Sequence, residues 1–72
     1  MEIGALIKAV RKEMGVSQKE FANKLHVSFS TVNRWENGHV TPNQLAIVTL
    51  VELCERENVS ARLLQELKIQ KN

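Results

Sequence analysis

The sequence predicts an all-α protein, because apolar residues recur at helical spacing along the chain and no segment keeps the apolar and polar alternation of a strand. A chain of 72 residues has room for one domain. With 43% hydrophobic and 25% charged residues, its composition is typical of a globular protein. We therefore expect a single all-α domain over residues 1–72.

The first helix is predicted near residues 2–14. Apolar side chains there follow the spacing of one helical face: Ile3, Leu6, Ile7, Val10 and Met14. Gly15 comes directly after them, and glycine commonly ends a helix because it adopts positive φ without a steric penalty.

Four later helices share one type of start, a valine followed by a hydroxyl residue. The hydroxyl can cap the helix, and the valine can pack against the apolar residue at the fourth helical position. The pairs are Val16-Ser17, Val27-Ser28, Val40-Thr41 and Val59-Ser60, with apolar partners Phe21, Val32, Leu45 and Leu64. Glu20 completes a capping box with Ser17. Gln44 would do the same for Thr41, and Pro42 would occupy the favoured first helical position. These starts predict helices near residues 18–25, 29–37, 42–57 and 61–69.

The second and third helices are separated by only three residues, His26, Val27 and Ser28. So short a turn makes two helices cross steeply and leaves the outer face of the second one in solvent, as a major groove requires. At 100° per residue, Thr31, Val32 and Trp35 point inward. The outer face carries Phe29, Ser30, Asn33, Arg34 and Asn37.

The outer face has the chemistry to read base edges. Asn can bind adenine through two hydrogen bonds, Arg can bind guanine or a phosphate, and Phe29 could contact a thymine methyl group. The alternative for Phe29 is that its ring folds back onto the domain. Trp35 is predicted in the core because it shares the inner face with Val32.

The stretch "VSQKEFANKLHVSFSTVNRWENGHVTP" resembles the helix-turn-helix domains of the phage lambda repressor, Cro and xenobiotic-response-element type. The match includes Gln18 at the start of helix 2, Ala22 at the helix contact, and the run from Trp35 to Gly38. With one helix before this stretch and two after it, the resemblance covers almost the whole chain. It implies a five-helix lambda-repressor-like fold whose helix-turn-helix unit spans about residues 18–37.

The resemblance also implies roles for individual residues. The positions that usually meet base edges are Phe29, Ser30, Asn33 and Arg34, and those that usually hold phosphate are Ser17, Gln18 and Asn37. The positive end of the dipole of helix 2 supports phosphate binding at its start. Arg11 and Glu36 match a pair that often forms a salt bridge between helices 1 and 3.

This sequence departs from the family pattern at two places. His26 stands where the family usually has Gly, at a position that often needs positive φ, so the turn is expected to be strained or reshaped. Helix 4 is predicted to be about one turn longer than usual.

Charge is distributed unevenly along a chain of net charge +2. Residues 1–34 hold six basic and three acidic residues, whereas residues 35–72 hold four basic and five acidic ones. The first half therefore carries the positive field that a polyanion would feel, although solvated surface charges would give the same pattern. Lys8 and Lys12 are expected on the solvated face of helix 1 and could also approach flanking phosphates.

Other features exclude several classes of protein. No leader-like start or membrane-length apolar run is present, so we expect a cytoplasmic protein. Cys54 lies among apolar residues and is predicted to be buried. His26 and His39 are far apart, and the chain has no Asp, no catalytic triad and no phosphate-binding glycine loop. We therefore predict a protein that is not an enzyme and that binds no metal or cofactor. No small-molecule ligand is evident, although the space between helices 4 and 5 leaves one open.

The function predicted from these residues is sequence-specific binding of double-stranded DNA by a transcriptional regulator, with the helix at residues 29–37 in the major groove. The apolar residues of helix 5 suggest a homodimer contact, unless they all pack against helices 1 and 4: Leu63, Leu64, Leu67 and Ile69. The alternative is an interaction or targeting module, such as an antitoxin or the N-terminal domain of a larger DNA-modifying protein.

Overall fold

The structure is a computed structural model that describes residues 1–70. It contains five helices and, within those residues, no strand: α1 (Ile3–Met14), α2 (Gln18–Leu25), α3 (Phe29–Glu36), α4 (Gln44–Arg56) and α5 (Ala61–Lys68). The prediction of an all-α fold of five helices is confirmed.

Three predicted helix boundaries have the expected local chemistry. Gly15 ends α1 in the left-handed region at φ 74°. Ser17 caps α2 through a complete capping box: its hydroxyl accepts from the Glu20 N–H at 3.0 Å, and its own N–H donates to the Glu20 carboxylate at 2.9 Å. The hydrogen bond from the Ser17 N–H lowers the pKa of Glu20. Ser28 caps α3 by accepting from the Thr31 N–H at 3.1 Å.

The predicted start of α4 is wrong by two residues. Asn43, not Thr41, caps this helix, and its side-chain oxygen accepts from the Ala46 N–H at 2.9 Å. Asparagine caps at least as well as threonine, and a start at Gln44 puts the buried Ile47 at the fourth helical position. Leu45 is 74% exposed, so it is not the partner expected for Val40. Gln44 is therefore the first helical residue rather than the third, and Pro42 precedes the helix.

The start of α5 is correctly placed, but Ser60 does not cap it with its side chain. Instead, the Ser60 N–H donates to the carboxylate of Glu13 on α1. Ser60 and Glu13 are far apart in the chain, so no local sequence pattern indicates this contact. The sequence therefore suggested that the Ser60 hydroxyl caps the helix.

The core is built from all five helices. Its buried residues are Leu6, Ile7, Val10, Phe21, Ala22, Leu25, Val32, Trp35, Ile47, Leu50, Leu53, Cys54, Val59, Leu63 and Leu67. The predicted core positions of Trp35 and Cys54 are confirmed. Burial raises the pKa of the Cys54 thiol to about 11, so the thiol is neutral at physiological pH.

The helix 5 residues predicted to form a homodimer contact are divided by the fold. Leu63 and Leu67 are 4% and 0% exposed and belong to the core, so they cannot form a surface contact without unfolding α5. Leu64 is partly buried against the core. Ile69, just after α5, is 64% exposed.

Two contacts fasten α1 to the end of α3. The first is a close backbone approach at Gly4, where an added Cβ would lie only 2.6 Å from the carbonyl oxygen of Trp35. The second is the predicted Arg11–Glu36 salt bridge, which is confirmed. Arg11 donates from Nε to Oε2 at 2.7 Å and from Nη2 to Oε1 at 3.1 Å.

The Arg11–Glu36 pair is largely removed from water, with side-chain exposures of 13% and 3%. The hydrogen bonds to Glu36 raise the pKa of Arg11. Arg11 also donates from Nη1 to the carbonyl oxygen of Val16 at 3.0 Å. One guanidinium therefore links α1 to the start of α2 and to the last turn of α3.

We predict that Gly4→Ala destabilises the protein by about 2 kcal/mol, because the new methyl group would collide with a backbone carbonyl that cannot move without shifting α3. At an open helix position the same change would stabilise by about 1 kcal/mol, so the sign is informative. Chemical denaturation measures the difference. Lys8→Ala, at an exposed position of the same helix, is the control, and a stabilised Gly4→Ala would contradict the prediction.

We predict that Arg11→Met costs about 3 kcal/mol of unfolding free energy, because it leaves a buried carboxylate without its cation. The matched control is Lys24→Met, which breaks the Lys24–Glu57 pair, whose side chains are 35% and 34% exposed. That loss should be less than about 1 kcal/mol. Equal losses in the two variants would show that burial of the Arg11 pair carries no special weight.

Candidate nucleic-acid interface

The turn between α2 and α3 sets the direction of the recognition helix. His26 takes the left-handed conformation at φ 60° and ψ 39°. This is the positive φ expected where the family usually has glycine. The turn closes through hydrogen bonds from the His26 N–H to the Asn23 carbonyl at 3.2 Å and from the Val27 N–H to the Ala22 carbonyl at 3.0 Å. Histidine adopts this conformation less readily than glycine, so the turn carries local strain.

The outward and inward faces of α3 are those predicted from its periodicity. Val32 and Trp35 are buried at 0% and 4% exposure, whereas Ser30 and Arg34 are exposed. Phe29 is 52% exposed, so about half of the residue's surface remains in solvent. Asn33 lies at the edge of this face and is half-buried.

Three of the predicted DNA-contacting residues are joined by hydrogen bonds. Gln18 at the start of α2 accepts from Asn33 Nδ2 through its Oε1 at 3.2 Å. Asn33 in turn accepts from Asn37 Nδ2 through its Oδ1 at 3.1 Å. The structure therefore brings two predicted phosphate contacts and one predicted base contact into a single row of amides, hereafter the amide row (Gln18, Asn33 and Asn37).

The amide row is anchored on Glu36. Gln18 donates from Nε2 to Glu36 Oε1 at 3.0 Å, on the same carboxylate that Arg11 holds. Sequence reasoning assigned Glu36 only to the salt bridge and missed this second contact. The place of Glu36 three residues after Asn33 puts these two side chains on neighbouring parts of one helix surface, but no sequence pattern indicated that Gln18 would reach Glu36.

The start of α2 offers donors beside the amide row. The Ser17 oxygen accepts from the Glu20 N–H, which leaves its own hydroxyl proton free to donate. Lys19 follows on the exposed surface of the same turn. Together with the positive end of the α2 dipole, these groups suit an anion.

Four basic side chains of α1 and of the helix-turn-helix form no ion pair within residues 1–70. Within residues 1–70, the ion pairs involve neither Lys19 nor Arg34, and neither Lys8 nor Lys12 on α1. All four are exposed. Their charge is therefore available to a phosphate backbone.

The described residues offer neither a membrane-spanning helix nor a cluster of metal ligands. Across residues 1–70, none of the helices combines the length and the apolar character needed to cross a membrane. Over the same residues, no group of three His, Cys, Asp or Glu side chains gathers where it could hold a metal ion.

Comparison with known proteins gives two curated relatives. The chain is 36% identical over 61 residues to antitoxin HigA-2 of Vibrio cholerae, which covers 85% of this chain and 58% of the antitoxin. It is 37% identical over 57 residues to type II methyltransferase M1.ScrFI of Lactococcus lactis, which covers 75% of this chain and 15% of the methyltransferase. The chain thus spans less than two thirds of either relative. No solved structure matches it.

A family profile described as helix-turn-helix matches residues 7–57. The matched part runs from the core face of α1, through α2, the turn and α3, to the end of α4. The chain belongs to the XRE-type helix-turn-helix family.

Proposed function

We propose that this protein is a sequence-specific regulator that binds double-stranded DNA with α3 in the major groove. The observation that carries the proposal is the outer face of α3, where polar and apolar side chains stand exposed on a helix whose other face is fixed in the core. Membership of a helix-turn-helix family supports a DNA-binding role. Such a role is consistent with a cytoplasmic protein of prokaryotic or phage origin.

The division of labour within the interface follows from side-chain chemistry. Phe29, Ser30, Asn33 and Arg34 would meet base edges and supply selectivity. Ser17, Gln18 and Asn37 would bind phosphate, beside the exposed charge of Lys19. The hydrogen-bonded amide row supports this scheme because it keeps members of both groups in one fixed arrangement.

Two more specialised roles are suggested by the relatives. An antitoxin relative is consistent with a DNA-binding antitoxin that also contacts a partner protein, and a methyltransferase relative is consistent with a domain that targets a DNA-modifying protein. Both keep the DNA interface. In each role this domain itself would be non-enzymatic.

We further propose that the protein binds DNA as a homodimer through the start of α4 rather than through the leucines of α5. Three apolar side chains are exposed there, Val40 at 43%, Leu45 at 74% and Val48 at 43%. Val40 and Leu45 line a groove of about 460 Å³ between the helix-turn-helix and α4. Residues 37–51 contain no Lys, Arg, Asp or Glu, so a two-fold axis there would not oppose like charges.

We predict that the purified chain enriches a two-fold-symmetric motif from a random duplex library. The Asn33→Ala and Arg34→Ala variants should each change the preferred base at particular positions of that motif, because each removes a side chain placed to donate to base edges. Sequencing of the retained duplexes is the measurement.

The salt dependence of binding provides the control for this prediction. With Lys19 from each of two copies at phosphate, affinity should fall about tenfold between about 50 and about 200 mM salt. Failure of the folded chain to enrich any motif would contradict the proposed function. A toxin-like protein that co-purifies with a chain that binds no DNA would favour the interaction role instead.

We predict that Leu45→Glu weakens self-association and lowers affinity for the symmetric motif by about tenfold or more, because it places two carboxylates opposite each other across the dimer axis. Analytical ultracentrifugation with and without the duplex measures the stoichiometry. Ile69→Glu is the matched control, since Ile69 is also an exposed apolar residue. A dimer that survives Leu45→Glu and is lost in Ile69→Glu would place the contact after α5.

A further inference from the structure

We infer that Glu36 and Gln18 are positioning residues that fix which way the Asn33 amide faces, and so help to determine base specificity. This inference rests on the proposed DNA-binding function and deepens it. Its basis is the direction of the hydrogen bonds that run from the Arg11–Glu36 pair into the amide row.

The order of donors and acceptors along the amide row is set at Glu36, because an ionised carboxylate can accept hydrogen bonds but cannot donate them. Arg11 holds both of its oxygens, at 2.7 and 3.1 Å. With a side chain only 3% exposed, Glu36 has little room to take another position. The amide row therefore begins at a fixed carboxylate that can only accept hydrogen bonds.

Gln18 is the first amide to be oriented. Only its NH2 group can face the Glu36 oxygen, at 3.0 Å, because the opposite orientation would place two acceptors against each other. The Gln18 carbonyl oxygen is consequently directed to the other side, towards Asn33.

Asn33 is oriented in the same way by Gln18. It must present its NH2 group to the Gln18 oxygen at 3.2 Å, and its own oxygen then faces Asn37, from which it accepts at 3.1 Å. Reversing Asn33 would place its oxygen against the Gln18 oxygen, whereas the exposed Asn37 amide could turn to follow it. The lost hydrogen bond to Gln18 and the repulsion between the two oxygens on a half-buried side chain disfavour that state.

This orientation matters at the base edge. After these two bonds, Asn33 retains one N–H and one oxygen lone pair. Adenine offers an acceptor and a donor side by side in the major groove, and an amide matches them only in the correct orientation. An amide that is already oriented also loses less conformational freedom on binding.

The test compares Gln18→Met with Asn37→Ala. Gln18→Met keeps the length of the side chain but removes the acceptor that orients Asn33. Asn37→Ala removes the bond on the far side and leaves the orienting contact from Gln18 in place. Each variant loses one proposed phosphate contact, so the two are matched for general affinity, and thermal denaturation confirms that both are folded.

The quantity measured is the ratio of Kd values between duplexes that differ at the base pair whose preference changes in Asn33→Ala. Gln18→Met should reduce this ratio about tenfold, within the range that one bidentate contact supplies. Asn37→Ala should weaken binding to all duplexes and keep the ratio within about twofold. An unchanged ratio in Gln18→Met, or an equal loss in both variants, would overturn the inference.

A second readout does not involve DNA. In spectra of the free protein, the chemical shifts of the Asn33 side-chain NH2 protons should move in Gln18→Met towards those of a solvent-exposed amide, and should stay near their wild-type values in Asn37→Ala. Unchanged resonances in Gln18→Met would refute the orienting role even if DNA binding is specific. If Gln18→Met causes this spectral change but the wild-type protein selects no DNA motif, the orienting role stands. The proposed function, and with it the role in specificity, is then refuted.

Discussion

The ion pair between Arg11 and Glu36 is the contact on which the arrangement of the interface depends. It joins α1 to the last turn of α3, in a position that solvent hardly reaches. Burying two charges is unfavourable unless the geometry is good and the remaining donors and acceptors are satisfied. Here both conditions are met, because Arg11 also donates to the Val16 carbonyl and Glu36 also accepts from Gln18. The pair therefore contributes less as a source of stability than as a fixed reference for the side chains around it.

Most of the fold could be predicted from the sequence because its boundaries are set by local chemistry. The capping box of Ser17 and the glycine after α1 require only residues within a few positions of each other, and both were predictable. The start of α4 was not, since Thr41 and Asn43 are both good caps and the choice depends on the burial of Pro42 and Ile47 in the finished core. Ser60 shows the same limit, because its N–H is satisfied from α1.

The candidate site was predictable to a different degree. Helical periodicity was sufficient to separate the buried side of α3, with Val32 and Trp35, from the side that carries Ser30 and Arg34. The hydrogen bonds of Gln18 with Asn33 and Glu36 were not predictable, because they join side chains 15 and 18 residues apart that meet only after the turn at His26 has set the helix crossing. Periodicity describes one helix at a time, whereas this part of the site belongs to two.

The two ends of the recognition helix are held unequally. Its last turn is fixed by Trp35 in the core, by the ion pair, and by the close approach of Gly4 to the Trp35 carbonyl. Its first turn carries Phe29 and Ser30 on open surface. Substitutions at these two positions disturb few contacts of the folded state, whereas substitutions in the last turn alter the joint with α1. Related proteins on this scaffold can therefore diverge in what they recognise by varying the first turn, while the orientation of the helix stays constant.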